Sequence, residues 1–190
     1  MDALINNDYY SPTPTEKYIL SFIDRLLKQT NADQLDWKKE TVGKLRSVGC
    51  TGDCPNHPLF TLEYDENGLP MILYDSKFTP GFYVSDDCYY LTLPGVTNTI
   101  LYLMCVGDPK TKEIPFAENF FELYMVQNWA VNPLCHSFPE NSPFYTSLKT
   151  LYSAVNESCK HPKLESEVMS AIDAFMRVSA EIPPEEELPF

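Results

Sequence analysis

Between Pro14 and about Gln29, Ile19, Phe22, Ile23, Leu26 and Leu27 recur at helical spacing, and Lys17, Asp24, Arg25 and Lys28 fall opposite them. That period predicts an amphipathic helix with one face on a core. Its start is written in Thr13-Pro14-Thr15-Glu16. Thr13 as N-cap, Pro14 in the first turn and Glu16 three residues on make a capping box. Asn31-Ala32-Asp33 breaks the helix, and Leu35-Asp36-Trp37-Lys38 re-enters packed structure. The pattern then shortens toward alternation. Leu59–Tyr64 and Met71–Tyr74 flank Asp65-Glu66-Asn67-Gly68, which predicts a hairpin with Pro70 at a strand start or an edge. Phe82–Val84, Tyr89–Leu93 and Thr99–Val106 predict further strands, separated by turn-prone Ser85-Asp86-Asp87 and Pro94-Gly95. Phe120–Val126 is apolar enough for either a strand or a buried helix.

Helical spacing returns near the end of the chain. Ser142-Pro143 is expected to cap a helix carrying Phe144, Leu148, Leu151, Tyr152 and Val155, and a second stripe runs through Leu164, Val168, Ile172 and Phe175. Helix, then strands, then helices predicts an α+β fold: an antiparallel sheet of about five strands with an N-terminal helix and two C-terminal helices packed on it. The expected organisation is an N-terminal extension over 1–12, one domain over 13–178 and an acidic tail over 179–190. An oligonucleotide-binding type of barrel is the less natural fit, because a helix stands at each end.

Twelve Tyr, eleven Phe and two Trp exclude wholesale disorder, which is poor in aromatics. The net charge is −13, and residues 1–179 still carry −9 without the four acids of the tail. So general an acidity argues against a broad phosphate-binding surface. No apolar run is long enough to span a bilayer, and Met1–Asp8 lacks the basic start and apolar stretch of a signal peptide. A cytoplasmic protein is expected, with Cys50, Cys54, Cys88, Cys105, Cys135 and Cys159 mainly as thiols.

The chain closes on Glu185-Glu186-Glu187-Leu188-Pro189-Phe190. This end resembles the C-terminal tip of bacterial single-stranded-DNA-binding proteins, an acidic run followed by Leu or Ile, Pro and Phe. In that family the tip docks onto replication, recombination and repair enzymes. The resemblance implies a bacterial or phage accessory protein without catalysis, with Phe190 as anchor and Leu188 and Pro189 as support. Glu185, Glu186 and Glu187 would steer the tip to a partner with a basic-rimmed apolar pocket. Burying the Phe190 ring contributes roughly 1.5–3 kcal/mol. A charge-assisted hydrogen bond to its α-carboxylate adds about 1.5–3 kcal/mol. That gross sum of about 3–6 kcal/mol corresponds to weak, reversible capture. Separately, Phe22–Thr30 followed by Leu35-Asp36-Trp37-Lys38 resembles the opening of a loose group of uncharacterised bacterial proteins, which implies no activity.

Other chemistry has thinner support. Cys50, Cys54 and His57 sit in one Gly- and Pro-containing loop, with thiolate and imidazole ligands suited to zinc. Cys135 or His136 would have to complete the site across the fold. Otherwise no cofactor is expected, and the plain alternative is a set of reduced cysteines in which Cys88 and Cys105 act as small core residues. A Cys135-His136 nucleophile is weakly supported, because adjacent side chains diverge. No nucleophile elbow, zinc-protease helix or phosphate loop is written in the chain. Tyr83, Tyr89, Tyr90 and Tyr102 fall on predicted strands and suggest a stacking platform for single-stranded nucleic acid. Tyr89 and Tyr90 must face opposite sides of a sheet, however, so core packing explains them better. An unrecognised enzyme using the Cys50–His57 loop is the remaining alternative.

Overall fold

A computed structural model of the chain describes residues 11–40, 57–84, 88–111, 118–160 and 166–180. Helix α1 spans Pro14–Asn31 and begins with the expected capping box. Thr13 Oγ1 accepts from the Glu16 N–H at 3.2 Å, and the Glu16 carboxylate accepts from the Thr13 N–H at 2.7 Å. Two otherwise orphaned donors are thereby satisfied. At the far end the Thr30 hydroxyl donates to the Leu26 carbonyl at 2.8 Å and accepts from the Trp37 indole N–H at 2.9 Å. Trp37 is therefore pinned against the helix it follows, and the chain passes directly into strand β1, Lys38–Glu40.

Hairpin strands β2 (Phe60–Tyr64) and β3 (Pro70–Tyr74) follow, then β4 (Tyr83–Val84), β5 (Cys88–Thr92), β6 (Thr99–Gly107), β7 (Phe120–Gln127) and β8 (Ala130–His136). In the hairpin loop Asp65 bonds the Asn67 and Leu69 N–H groups through its carboxylate, and Gly68 takes the left-handed position at φ 74°. Glycine meets that requirement without a Cβ clash. The hairpin does not join the large sheet. It forms a two-stranded sheet of its own, while the six-stranded antiparallel sheet runs β1-β5-β6-β7-β8, with β4 pairing the end of β6. Phe120–Gln127 is settled as a strand because it pairs β6 along its length and β8 on its other side.

Alternation along β6 and β7 sorts side chains to two covered faces. Leu101, Leu103, Cys105, Phe121 and Leu123 meet Ile23 and Leu26 of α1. They also meet Leu148, Leu151 and Val155 of helix α2, Tyr145–Ser158. Tyr102, Met104, Val106, Phe120 and Tyr124 face the other way, under Leu59 and Phe60 with Ile72, Tyr74 and Phe78 packed alongside. The order is thus helices, sheet, hairpin, in an α+β fold. One expectation fails in detail: α2 is not capped by Ser142-Pro143. Its N-cap is Phe144, without a side-chain bond, and Ser142 instead donates to the His136 carbonyl at 2.8 Å, bracing the turn before the helix.

The chain divides into two compact units after Cys159. In the second, helix α3 spans Ser166–Ala180, with Val168, Ile172 and Met176 exposed. No helix among the described residues is long and apolar enough to cross a membrane.

Candidate functional site

A pocket of about 350 Å³ opens on the hairpin-side face of the sheet, lined by His57, Pro58, Asn98, Ile100, Tyr102, Val126, Asn128 and Trp129. Its upper wall comes from two turns. Between β7 and β8, Gln127 pairs with Ala130, so Asn128 and Trp129 alone reverse the chain, both left-handed at φ 48° and 69°. Positive φ at both central residues is the hairpin geometry that Asn-Gly usually supplies. Trp129 adopts it with a bulky side chain and remains 72% exposed. A non-glycine residue held there costs roughly 1–2 kcal/mol. The other turn, before β6, ends in Asn98 at φ 51°. Its carbonyl accepts from the Asn128 N–H at 3.1 Å, which ties the two turns together.

The floor is built from β6 and the residues ahead of β2. Ile100 and Tyr102 alternate onto this face, and His57 lies edge-on to Phe60 and Tyr102 with ring centroids 4.8 and 5.0 Å away. The His57 Nδ1 accepts from the Leu59 N–H at 3.1 Å, so in the neutral ring the proton sits on Nε2. Nε2 is buried without a hydrogen-bond partner, and the Glu40 carboxylate stands 3.4 Å from it. Burial, then the charge of Glu40, pushes the Tyr102 phenol up to about 12, with smaller contributions from Tyr90 and Cys88. Tyr102 therefore faces the pocket as a neutral phenol.

A second polar group lies deeper on the same face. Glu122 is fully buried, and its carboxylate accepts from Tyr74 at 2.5 Å, Tyr124 at 2.7 Å, Ser76 at 2.9 Å and Thr79. The Tyr124 hydroxyl also accepts from the Lys77 N–H at 3.0 Å. Burial above all, then the neighbouring Glu122, pushes the Tyr124 phenol up to about 12 and the Tyr74 phenol higher still. Both tyrosines thus remain donors. With its acceptor sites already taken by hydroxyls, Glu122 is a clasp that fastens residues 74–79 to β7. His136 pairs with it across the sheet and stacks on Phe78 at 4.7 Å. Its pKa is lowered by burial, against the opposing pull of Glu122 and the Phe138 backbone, and its Nδ1 has no hydrogen-bond partner.

Of the metal-ligand candidates, Cys50 and Cys54 lie outside the described residues, and His57 lines the pocket. Cys135 is in the helix-side core, on the opposite face from His57. It could not complete a site with that histidine, and burial holds its thiol up at about 12. Neither can it serve as a nucleophile paired to His136, because successive residues of β8 face opposite sides. No cluster of three or more metal-ligating side chains occurs among the described residues. Of the tyrosines weighed as a stacking platform, Tyr89 is buried under α2 with its hydroxyl on Asn156 at 2.8 Å and Tyr102 is 6% exposed, while Tyr83 and Tyr90 are half-buried. Glu185, Glu186, Glu187, Leu188, Pro189 and Phe190 lie outside the described residues.

Sequence reasoning missed Trp129, Asn128 and Asn98. The available signal was the two-residue break between Phe120–Gln127 and Ala130–His136, obscured because its second residue is Trp rather than Gly. Comparison of the chain with protein-family models, with curated proteins and with solved structures found no match.

Proposed function

We propose that this chain is a non-catalytic bacterial or phage interaction protein of the cytoplasm whose acidic C-terminal tip docks onto an enzyme of DNA replication or repair. The observation that carries the reading is the segment Glu185-Glu186-Glu187-Leu188-Pro189-Phe190, which sets an aromatic ring behind an acidic guide. A partner with an apolar pocket and an Arg or Lys at its rim recognises both. The exposed apolar side chains Val168, Ile172 and Met176 of α3 add a surface suited to protein contact. The organisation separates tasks: a well-packed body holds the chain folded, and the C-terminal unit does the recruiting.

The test compares the intact protein with the same protein lacking Phe190, each immobilised and exposed to nuclease-treated bacterial lysate. Enrichment of replication or repair enzymes on the intact form alone is expected. The same proteins retained on both forms would refute the reading.

A further inference from the structure

The pocket bounded by Trp129, Tyr102 and His57 has no part in tip docking, and its chemistry is selective. Its described lining contains no Lys or Arg, and the chain carries −13 overall. A phosphate or carboxylate ligand would find no counter-charge there and would meet a repulsive field. Aromatic rings, by contrast, carry negative potential on their faces that attracts cations, and His57, Tyr102 and Trp129 are all in the lining. Outside the lining, the Glu40 carboxylate stands 3.4 Å from the His57 Nε2. Trp129 completes the set: the strained turn holds its indole at the rim rather than in a core. Strain of that kind persists where the surroundings impose it, and it concentrates at ligand sites.

We infer that this pocket binds a small free organic cation bearing a quaternary or trimethylated ammonium group. A methylated ammonium fits better than a metal ion or a bare ammonium. It sheds little hydration on entry, its methyl groups pack on Ile100 and Val126, and its charge is met by the aromatic rings. A volume of about 350 Å³ suits a ligand of this size.

The chain has two tryptophans, and Trp37 is buried on the helix side, so emission changes on ligand addition report on Trp129. The full chain is titrated at constant ionic strength with choline and, in parallel, with 3,3-dimethylbutan-1-ol, which has the same shape with carbon in place of the charged nitrogen. Saturable choline binding, at least about tenfold tighter than the neutral alcohol, is expected. Measured by isothermal titration calorimetry, Trp129→Ala should lower choline affinity by about tenfold with unchanged circular dichroism, and Trp129→Phe should retain part of it. Equal binding of the two ligands would overturn the inference, as would no saturable response to choline. A response to phosphatidylcholine vesicles without one to free choline would assign the pocket to a membrane surface and overturn it as stated. Because wild-type protein alone decides between the two ligands, a variant that fails to fold leaves the test intact. Deleting Phe190 should leave choline binding unchanged, so this inference and the tip-docking reading fail independently.

Discussion

Replacing Glu122 by Gln tests whether the buried clasp holds the hairpin layer to the sheet. The substitution preserves shape and removes one acceptor oxygen, leaving an amide N–H₂ among hydroxyls that all donate inward. Tyr74 and Tyr124 share one oxygen, Thr79 takes the other and Ser76 reaches both, so at least one buried hydroxyl loses its acceptor whichever way the amide turns. A charge-assisted hydrogen bond is worth about 1.5–3 kcal/mol, and stranding a buried donor costs about 1–3 kcal/mol. Allowing for the amide to donate back to a tyrosine oxygen, the net loss should be about 2–4 kcal/mol. Urea unfolding followed by circular dichroism measures it. With a slope of about 1–3 kcal/mol per molar urea, the midpoint should fall by roughly 1–2 M. Tyr74→Phe alone should cost about 1.5–3 kcal/mol. The double variant should lose less than the sum of the singles, because they break one shared bond. Amide exchange in β3 should also accelerate before exchange in β6, since the hairpin is what the clasp restrains. A Glu122→Gln protein within about 0.5 kcal/mol of wild type, with unchanged exchange in β3, would refute the assignment.

Three further outcomes follow from packing and protonation. Tyr102 and Tyr124 have folded-state values raised to about 12 from an ordinary 10.0, so the folded protein holds protons that the unfolded chain releases. Their contribution is complete below pH 10 and is lost as pH rises from there toward 12. Urea midpoints should accordingly decline through that interval, and a flat profile would contradict burial of these phenols. Trp129→Gly relieves the left-handed strain of the β7–β8 turn and should stabilise the fold by about 1 kcal/mol, while weakening choline binding by about tenfold in calorimetry. A loss of stability would mean that the indole is held by packing instead. At Gly107 an added Cβ would lie 2.6 Å from the far end of the half-buried Tyr83 ring, which must swing aside, so Gly107→Ala should cost no more than about 1 kcal/mol by thermal unfolding.

Where structure depends on neighbours along the chain, it was legible. The capping box, the α1 stripe and the Asp65–Gly68 loop involve groups within about one turn of each other, and their hydrogen bonds form the same way in almost any context. Strands β1 and β8 were not legible. Lys38-Lys39-Glu40 is charged, and Ala130–His136 carries Asn132 and Pro133, so neither shows the alternation of a half-buried strand. Both lie at edges of the sheet, where charge and proline are tolerated because one side has no ladder to complete. The same limit applies to the site. His57 stood out by residue type, but nothing local indicated that Tyr102, Asn98 and Trp129 would meet it. The α+β class, the first helix with its cap, and the acidic aromatic tip could be read from the chain alone, because each is a matter of short-range pattern or composition. Tertiary structure alone decided that the hairpin forms a separate layer, that Glu122 clasps it to β7, and that two strained turns raise Trp129 over a pocket floored by His57. Those features come from residues tens of positions apart, and they are selected by which faces must be buried together rather than by any residue's own preference.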